Sequence, residues 1–493
     1  MSTPPSRVRQ VDCERVDDPQ MRDHTQPRTS RYVLAVGLVL LLCGLLFGYD
    51  QGVISGALSG IEKEFGPSTF VIEIITSWVT LGAMVGALVA GVLADRLGRR
   101  FTLVLASVIF VVGALLEALA PGTTVLVVGR LVLGAGVGIA SVAGPLYGAE
   151  NAAARDRGRM VSLYQMAVTI GIFLAYWADY LLIENDRWRL MLGISAVPAV
   201  LLVLVVLPLR DSATWYVKVG RRTDAEDVVR KAEPEVDAAQ RIADIEQGLA
   251  SEQQASWGEV FSRTWRRPLI VAGGLAVLQQ LTGINAIIYY ANTIFAAAGF
   301  DSPTQQSLAT LWAVGGVNVL ATLIAVLYVD RFGRKPLLTI GSWGMLLSLL
   351  LVAGAFFRLD EVSASDAAAH GTSNAGLLAL VGTVTFIASF AFSLGPIVWT
   401  VINEVFPSHV RGKGVAAATA LNWFAAWAVT QTFLSVVDLT STSGAFLIFA
   451  FFCAVTLWFV HRYVPETKGR TLEEVQAMWA DPDELERAIA ARD

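Results

Sequence analysis

The stretch GLLFGYDQGVISGAL, residues 44–58, lies in an apolar run from Tyr32 to Leu58 whose one charged side chain is Asp50. Coiled as a helix, a run of that length crosses roughly 30 Å of hydrocarbon. A carboxylate at such depth costs about 2.5–3.5 kcal/mol on insertion scales, so it needs a partner or a task. Two questions follow from this stretch: whether the chain spans a membrane throughout, and what Asp50 faces.

The first question is answered by repetition. Of 493 residues, 54% are hydrophobic and 16% charged, and the mean hydropathy is +0.56. A soluble chain of this size does not gather its apolar residues into recurrent unbroken blocks of about 20. Twelve such blocks are present, at 32–57, 72–94, 101–120, 124–148, 161–182, 190–208, 268–298, 307–329, 336–357, 376–403, 414–437 and 444–463. The expected fold is therefore all-α and polytopic, with twelve transmembrane helices in the lipid bilayer. The three cysteines, Cys13, Cys43 and Cys453, are scattered, and the four histidines, His24, His370, His409 and His461, lack ligand spacing. No metal site or cofactor is expected, no nucleophile–base arrangement suggests an enzyme, and a net charge of −5 gives no reason to expect nucleic acid. Residues 1–30 are polar and mixed in charge, without the pattern of a removable signal peptide.

Basic residues sort by side. One set of connections carries Arg96, Arg99 and Arg100, then Arg155, Arg157 and Arg159, then Arg331, Arg334, Lys335, Arg411 and Lys413; the alternate set offers Lys63, Arg187, Arg189 and Arg358. By the positive-inside rule both termini are expected in the cytoplasm, with the protein in the plasma membrane. The blocks divide into a polar tail at 1–31, a six-helix domain at 32–209, a charged helical linker at 210–267, a second six-helix domain at 268–464 and a tail at 465–493. The halves echo each other. DRLGRR at 95–100 recurs as DRFGRK at 330–335, and Glu150 with Arg157 seven residues on recurs as Glu404 with Arg411. Such duplicated halves place a site between them at midplane. The carboxylates Asp95, Glu150, Asp330 and Glu404 lie beside Arg96, Arg99, Arg157, Arg331, Arg334 and Arg411, a pattern suited to charge pairs that latch the halves and can re-form.

At these residues a resemblance becomes specific. GYDQGVISGAL, DRLGRR, GRLVLGAGVG, QQLTGINAIIYYA, DRFGRK, GPIVWTVINEVFP and VPETKGR follow one another along nearly the whole chain. In this order they resemble the sugar porter family of the major facilitator superfamily. The resemblance implies two pseudo-repeated six-helix halves and passage of a monosaccharide.

Asp50 lies before the outer end of the first block and Arg130 just inside the outer start of the fourth, both roughly 9–12 Å deep at 1.5 Å per residue. Unlike charges at one depth in one half are natural partners. A static pair would only fix two helices. Alternatively, a carboxyl whose cation can move away changes its proton affinity, which is what coupling requires. Proton-using sugar porters that resemble this chain carry this Asp and Arg, and facilitative members lack the acid, so a proton is the expected second partner.

A sugar calls for neutral groups that donate and accept, with an aromatic ring over one face. The seventh block supplies Gln279, Gln280 and Asn285. On an unbroken helix Gln280 and Asn285 would point about 140° apart, but a break at Gly283 could turn them into one cavity. Gln165, Asn318, Trp399 and Asn422 complete the set that the resemblance carries over as sugar contacts. Tyr289 and Tyr290 stand at the family's outer gate, and Gly395 and Pro396 at a hinge of the tenth helix. Three residues depart from the family: Thr214 replaces a latch Arg in LRDSATW, Val398 replaces a second proline in GPIVW, and Asp179 replaces Asn near the outer end of the fifth helix, where solvation is expected. Glu466, at the start of the tail, could join the latch. The expectation is a monomeric proton–monosaccharide symporter, with a facilitative sugar or inositol uniporter, or a sugar-sensing receptor, as the alternatives. The sugar itself is left open.

Overall fold

The structure, a computed structural model, describes residues 31–152, 157–251, 256–361, 374–468, 474, 475 and 479. Twelve helices are long and apolar enough to cross a membrane: α1 (Arg31–Phe65), α2 (Thr69–Leu97), α3 (Arg99–Ala118), α4 (Thr123–Asn151), α5 (Gly158–Asn185), α6 (Trp188–Val206), α7 (Arg266–Tyr289), α8 (Pro303–Tyr328), α9 (Arg334–Leu359), α10 (Asn374–Glu404), α11 (His409–Leu439) and α12 (Thr442–Tyr463). Among the described residues, short connections reverse the chain from α1 through α4, from α5 to α6, from α7 through α9 and from α10 through α12. The start of α1, the segment between α6 and α7 and the end of α12 thus share one side, here the terminal side, opposite the far side. Four short helices, Ala213–Lys218, Arg222–Ala232, Ala238–Ser251 and Trp257–Val260, make up the linker between the halves.

Without a hydrophobic drive between helices in lipid, small residues let backbones approach. Along α1, Gly44, Gly48, Gly52 and Gly56 face α5 so closely that a Cβ at Gly48 would stand 1.9 Å from the Val168 carbonyl oxygen. Gly134 and Gly138 of α4 press likewise on the backbone of α2. These glycine seams clamp the first half. Between the halves, α2 packs on α11, α5 on α8, and α1 on the end of α7.

Several helices are interrupted within their spans. Helix α7 stops at Leu281 and restarts at Ile284, with Gly283 at φ +89°, and a third segment follows at Ala291–Ala297. Helix α10 breaks at Ser393, immediately before Gly395 and Pro396. Helix α8 carries a π-helical turn at Thr310–Gly316 just ahead of Asn318, a bulge with no signature in the sequence.

One expectation is corrected. Asp179 is not solvated: it is 1% exposed, and its Oδ2 accepts the Gly56 N–H at 3.1 Å. The reason is the close approach of α1 at Gly56, where a Cβ would stand 2.3 Å from Asp179 Cγ, so that the carboxyl fills the space that the missing side chain leaves. The terminal tails at 1–30 and most of 469–493, with Cys13, His24 and His370, lie outside the described residues, as do the side chains of Arg157, Asp330 and Arg331.

The glycine seam generates a stability prediction. Gly48→Val should lower the melting temperature of the detergent-purified protein, with a destabilisation of about 1–3 kcal/mol or more from overpacking. Gly91→Val, where nothing lies within 4 Å, should leave it unchanged. Equal effects would contradict the seam.

Candidate functional site

Asp50 faces Arg130. The Arg130 Nη1 donates to Asp50 Oδ1 at 2.6 Å, its Nε donates to the Ile75 carbonyl oxygen at 3.1 Å, and the two residues are 0% and 2% exposed. Helices α1, α2 and α4 thus meet at one guanidinium. A second carboxylate, Glu117 of α3, stands 3.8 Å from the same nitrogen and is 1% exposed. Sequence reasoning did not single it out, although it is the one acid in the block 101–120. Tyr289 of α7, 1% exposed, approaches the pair from the other half, on a segment that packs against α1 beside Asp50 and Arg130.

The break at Gly283 turns the amides toward one another. Asn285 Nδ2 donates to Gln280 Oε1 at 2.8 Å, Asn422 Nδ2 donates to Gln279 Oε1 at 2.9 Å, and Gln280 Nε2 lies 3.2 Å from Gln279 Oε1 and 3.4 Å from Asn422 Oδ1. Gln279 Nε2 donates to the Leu394 carbonyl oxygen at 2.7 Å, tying the cluster to the break in α10. Asn318 is 6% exposed on α8, while Gln165 on α5 and Trp399 on α10 are half-buried. These three stand outside the hydrogen-bonded cluster. Val398 is buried in the core of the second half.

Hydrogen bonds that cross between the halves, among the described residues, lie toward the far side. Glu73 of α2, buried at 1% exposure, accepts both the N–H and the Oγ–H of Ser435 on α11 at 2.7 Å. Ser77 Oγ donates to Gln431 Oε1 at 2.8 Å, the Asn292 N–H donates to Ser55 Oγ at 3.0 Å, and Tyr176 donates to the Ile288 carbonyl at 2.9 Å. Tyr290 is 0% exposed, stacked on Phe433 and donating to the Thr430 carbonyl at 3.1 Å. Glu73 and Ser435 carried no signal in the sequence, since each is an ordinary polar residue near a helix end.

On the terminal side the two echoes become one motif built twice. Arg99 pairs with Glu150 at 2.8 Å, and Arg334 with Glu404 at 3.1 Å. Asp211 accepts the Arg99 and Arg100 N–H groups, and Glu466 accepts those of Arg334 and Lys335. Ser212 donates to Glu150, and Thr467 to Glu404. Burial holds the Asp211 carboxyl above the usual carboxylate range in spite of these donors. The glycines before the two arginines, Gly98 and Gly333, share φ of 90° and 82°. Asp95 pairs with Arg99 at 3.3 Å and Lys218 at 3.0 Å, Arg96 is exposed, and Arg411 Nε donates to the Phe406 carbonyl. Each of these contacts stays within its own half, counting the linker helix at Ala213–Lys218 with the first. Thr214, where a latch Arg was expected, is half-buried on that same short helix.

Two six-helix halves that meet along α2–α11 and α5–α8, around buried charges and amides, define a membrane transporter of the major facilitator fold. The profile of the family described as "Sugar (and other) transporter" matches residues 36–479, and the chain belongs to that family. It is 37% identical over 456 residues to the arabinose-proton symporter of Escherichia coli, covering 91% of this chain and 93% of that one. The partially occluded inward-open form of the xylose transporter XylE from E. coli superposes with a TM-score of 0.77 at 28% identity, covering 90% of this chain and 100% of that one. The proton:xylose symporter XylE bound to 6-bromo-6-deoxy-D-glucose gives 0.73 at 29% identity, covering 91% and 99%.

The far-side clasp can be tested directly. Glu73→Ala removes an acceptor of two hydrogen bonds, each worth about 1.5–3 kcal/mol to a charged group, so opening on that side should rise about tenfold or more. In a cysteine-free background, labelling of Asn292→Cys by an impermeant maleimide from the far side should quicken accordingly. Unchanged labelling would show that Glu73 holds nothing closed.

Proposed function

We propose that the protein imports a monosaccharide together with a proton by alternating access. Asp50 is the proton carrier, and the amides on either side of Gly283 are the sugar site. The observation that carries this reading is the position of Tyr289. It sits on the same broken helix as Gln280 and Asn285, yet it is buried where that helix packs on α1, beside Asp50 and Arg130. Proton and sugar therefore act on one movable element, as reciprocal coupling requires.

When Asp50 is ionised, its charge holds Arg130 and draws α1 against α4. A proton on Asp50 cancels that attraction, frees the Tyr289 contact to rearrange, and lets the far side open. The amides that bond one another in the empty site exchange those bonds for sugar hydroxyls, with the half-buried Trp399, together with Gln165 and Asn318, closing on the rest of the ring. Tyr289 and Tyr290 seal the far side behind the sugar, with α10 hinging at Gly395 and Pro396. One charge moving inward through 100 mV contributes about 2.3 kcal/mol.

The side of the termini is the cytoplasmic one in this reading, supported by where the arginines fall, and the membrane is the plasma membrane. The conformation described above, clasped on the far side, is then inward-facing. Arg99–Glu150 and Arg334–Glu404 form the latch that joins the halves on the cytoplasmic side when the cavity faces out. Arg96, Arg411, Asp95 and Glu466, with Arg157, Asp330 and Arg331, complete it. The working unit is a monomer with domains at 32–209 and 268–464, and it transports without chemical change to the sugar.

Uptake of labelled xylose, glucose, galactose and inositol into proteoliposomes, with and without an inward proton gradient, tests the reading. The gradient should drive accumulation of at least one sugar, and Asp50→Asn should retain exchange while losing accumulation. Simple equilibration that Asp50→Asn does not alter would make the protein a uniporter and the ion pair a structural tie. Gln280→Ala strands the partners of a buried amide at about 1–3 kcal/mol, so the half-saturating sugar concentration should rise about 5- to 150-fold. An unchanged value would remove Gln280 from the site.

A further inference from the structure

The pair at the coupling centre has a third member that the reading so far leaves idle. Glu117 is a carboxylate buried at 1% exposure in the apolar body of α3, and its Oε2 lies 3.8 Å from the Arg130 Nη1 that bonds Asp50. Its Oε1 has no hydrogen-bond partner, and neither has Arg130 Nη2. The space for it is built: a Cβ at Gly129, one residue before Arg130, would stand 2.7 Å from Glu117 Cγ. Two buried polar atoms without partners, on side chains whose nearest atoms are 3.8 Å apart, mark a bond left unmade in this state rather than a packing accident.

We propose that Glu117 is the alternate acceptor of the Arg130 guanidinium, taking it over when Asp50 binds its proton. The inference rests on Asp50 as proton carrier and adds a positioning residue to that reaction. Were Asp50 the sole carboxylate present, its protonation would leave a fully buried guanidinium without a counter-charge, and that penalty would oppose proton uptake. With Glu117 beside it, the guanidinium turns from Asp50 Oδ1 to Glu117 and stays paired. The proton binds to the Asp50 carboxyl, the Arg130–Asp50 hydrogen bond is exchanged for one to Glu117, no other covalent bond is made or broken, and the cluster gains one positive charge. The two carboxylates also share one cation while both are ionised, which favours the first proton. Glu117 thus sets how acidic the outer medium must be before loading occurs. The groups facing this centre are Asp50 on α1, Arg130 on α4 and Tyr289 on α7. On α2 the Ile75 carbonyl takes Arg130 Nε while Glu73 is turned to Ser435, and on α6 Arg189 pairs with Glu64 and donates to the Ala120 carbonyl, with no further charge from Leu190 to Val206.

The test is the pH profile of proton-driven sugar accumulation in proteoliposomes for wild type, Glu117→Gln and Glu117→Asp, beside sugar exchange at equal pH. Glu117→Gln should need about tenfold more protons for half-maximal accumulation, moving the midpoint down by roughly one pH unit. Glu117→Asp should lie between the two. A wild-type midpoint in Glu117→Gln overturns the proposal and leaves Asp50 as carrier. A wild type without any gradient-driven accumulation overturns the coupling reading and this proposal with it. Should a variant lose transport altogether, thermal melting of the Asp50→Asn, Glu117→Gln cycle decides. Glu117→Gln should lower the melting temperature more in the Asp50→Asn background, where Glu117 is the acceptor left to Arg130, than in wild type. Additive effects overturn the handover.

Discussion

A guanidinium with no access to water must keep a carboxylate beside it, and the first half of this protein is arranged around that requirement. Arg130 is 0% exposed, held by Asp50 from α1, by the Ile75 carbonyl from α2, and approached by Glu117 from α3. Four helices are therefore tied to one cation. Removing a single partner of such a group costs far more than the pair contributes when intact. Protonation of Asp50 is a removal of that kind, reversible and chemically minimal, and it reaches every helix that touches Arg130. The glycine seams between α1 and α5 and between α2 and α4 make the surrounding helices move as one body, because their backbones already touch.

The second half answers with a helix that is already broken. Gly283 lets the two parts of α7 present Gln280 and Asn285 to one another, and Tyr289, one turn further on, meets the first half beside Asp50. The amide cluster bonds to itself and to the break in α10, which pairs most of its polar atoms with one another. A ligand rich in hydroxyls can replace those bonds one for one. Stability at the far side comes from bonds that cross the halves at Glu73–Ser435, Ser77–Gln431 and Asn292–Ser55. The terminal side instead repeats one motif within each half, Arg99–Glu150–Ser212 and Arg334–Glu404–Thr467. Among the described residues, then, the far side is bonded across the halves and the terminal side within each half.

Much of this was legible in the residues because lipid imposes strong rules. Hydrocarbon thickness sets block length, so twelve spans could be read without any contact being known. Depth could be counted, so Asp50 and Arg130 could be matched across 80 residues. The break at Gly283 was readable from the clash between amide direction and helical period. What escaped depended on neighbours. Glu117 lies near a block edge, where a carboxylate ordinarily reaches water, and only the packing of α3 on Gly129 buries it. Asp179 was expected in solvent because it lies near the outer end of α5, but the bare Gly56 of α1 lets the two helices close over its carboxylate. The π-turn in α8 and the Glu73 clasp follow from how the halves meet, which no local pattern encodes.

The most direct test of the central claim is the movement of protons when sugar is added. Proteoliposomes without any imposed gradient, in lightly buffered medium carrying a pH indicator, would be given a transported sugar outside. If proton and sugar act on one element through Asp50 and Arg130, the outer medium becomes more alkaline in step with sugar entry, and Asp50→Asn abolishes the change. Sugar entry with no change in external pH would contradict the account and leave the buried pair as a tie between helices.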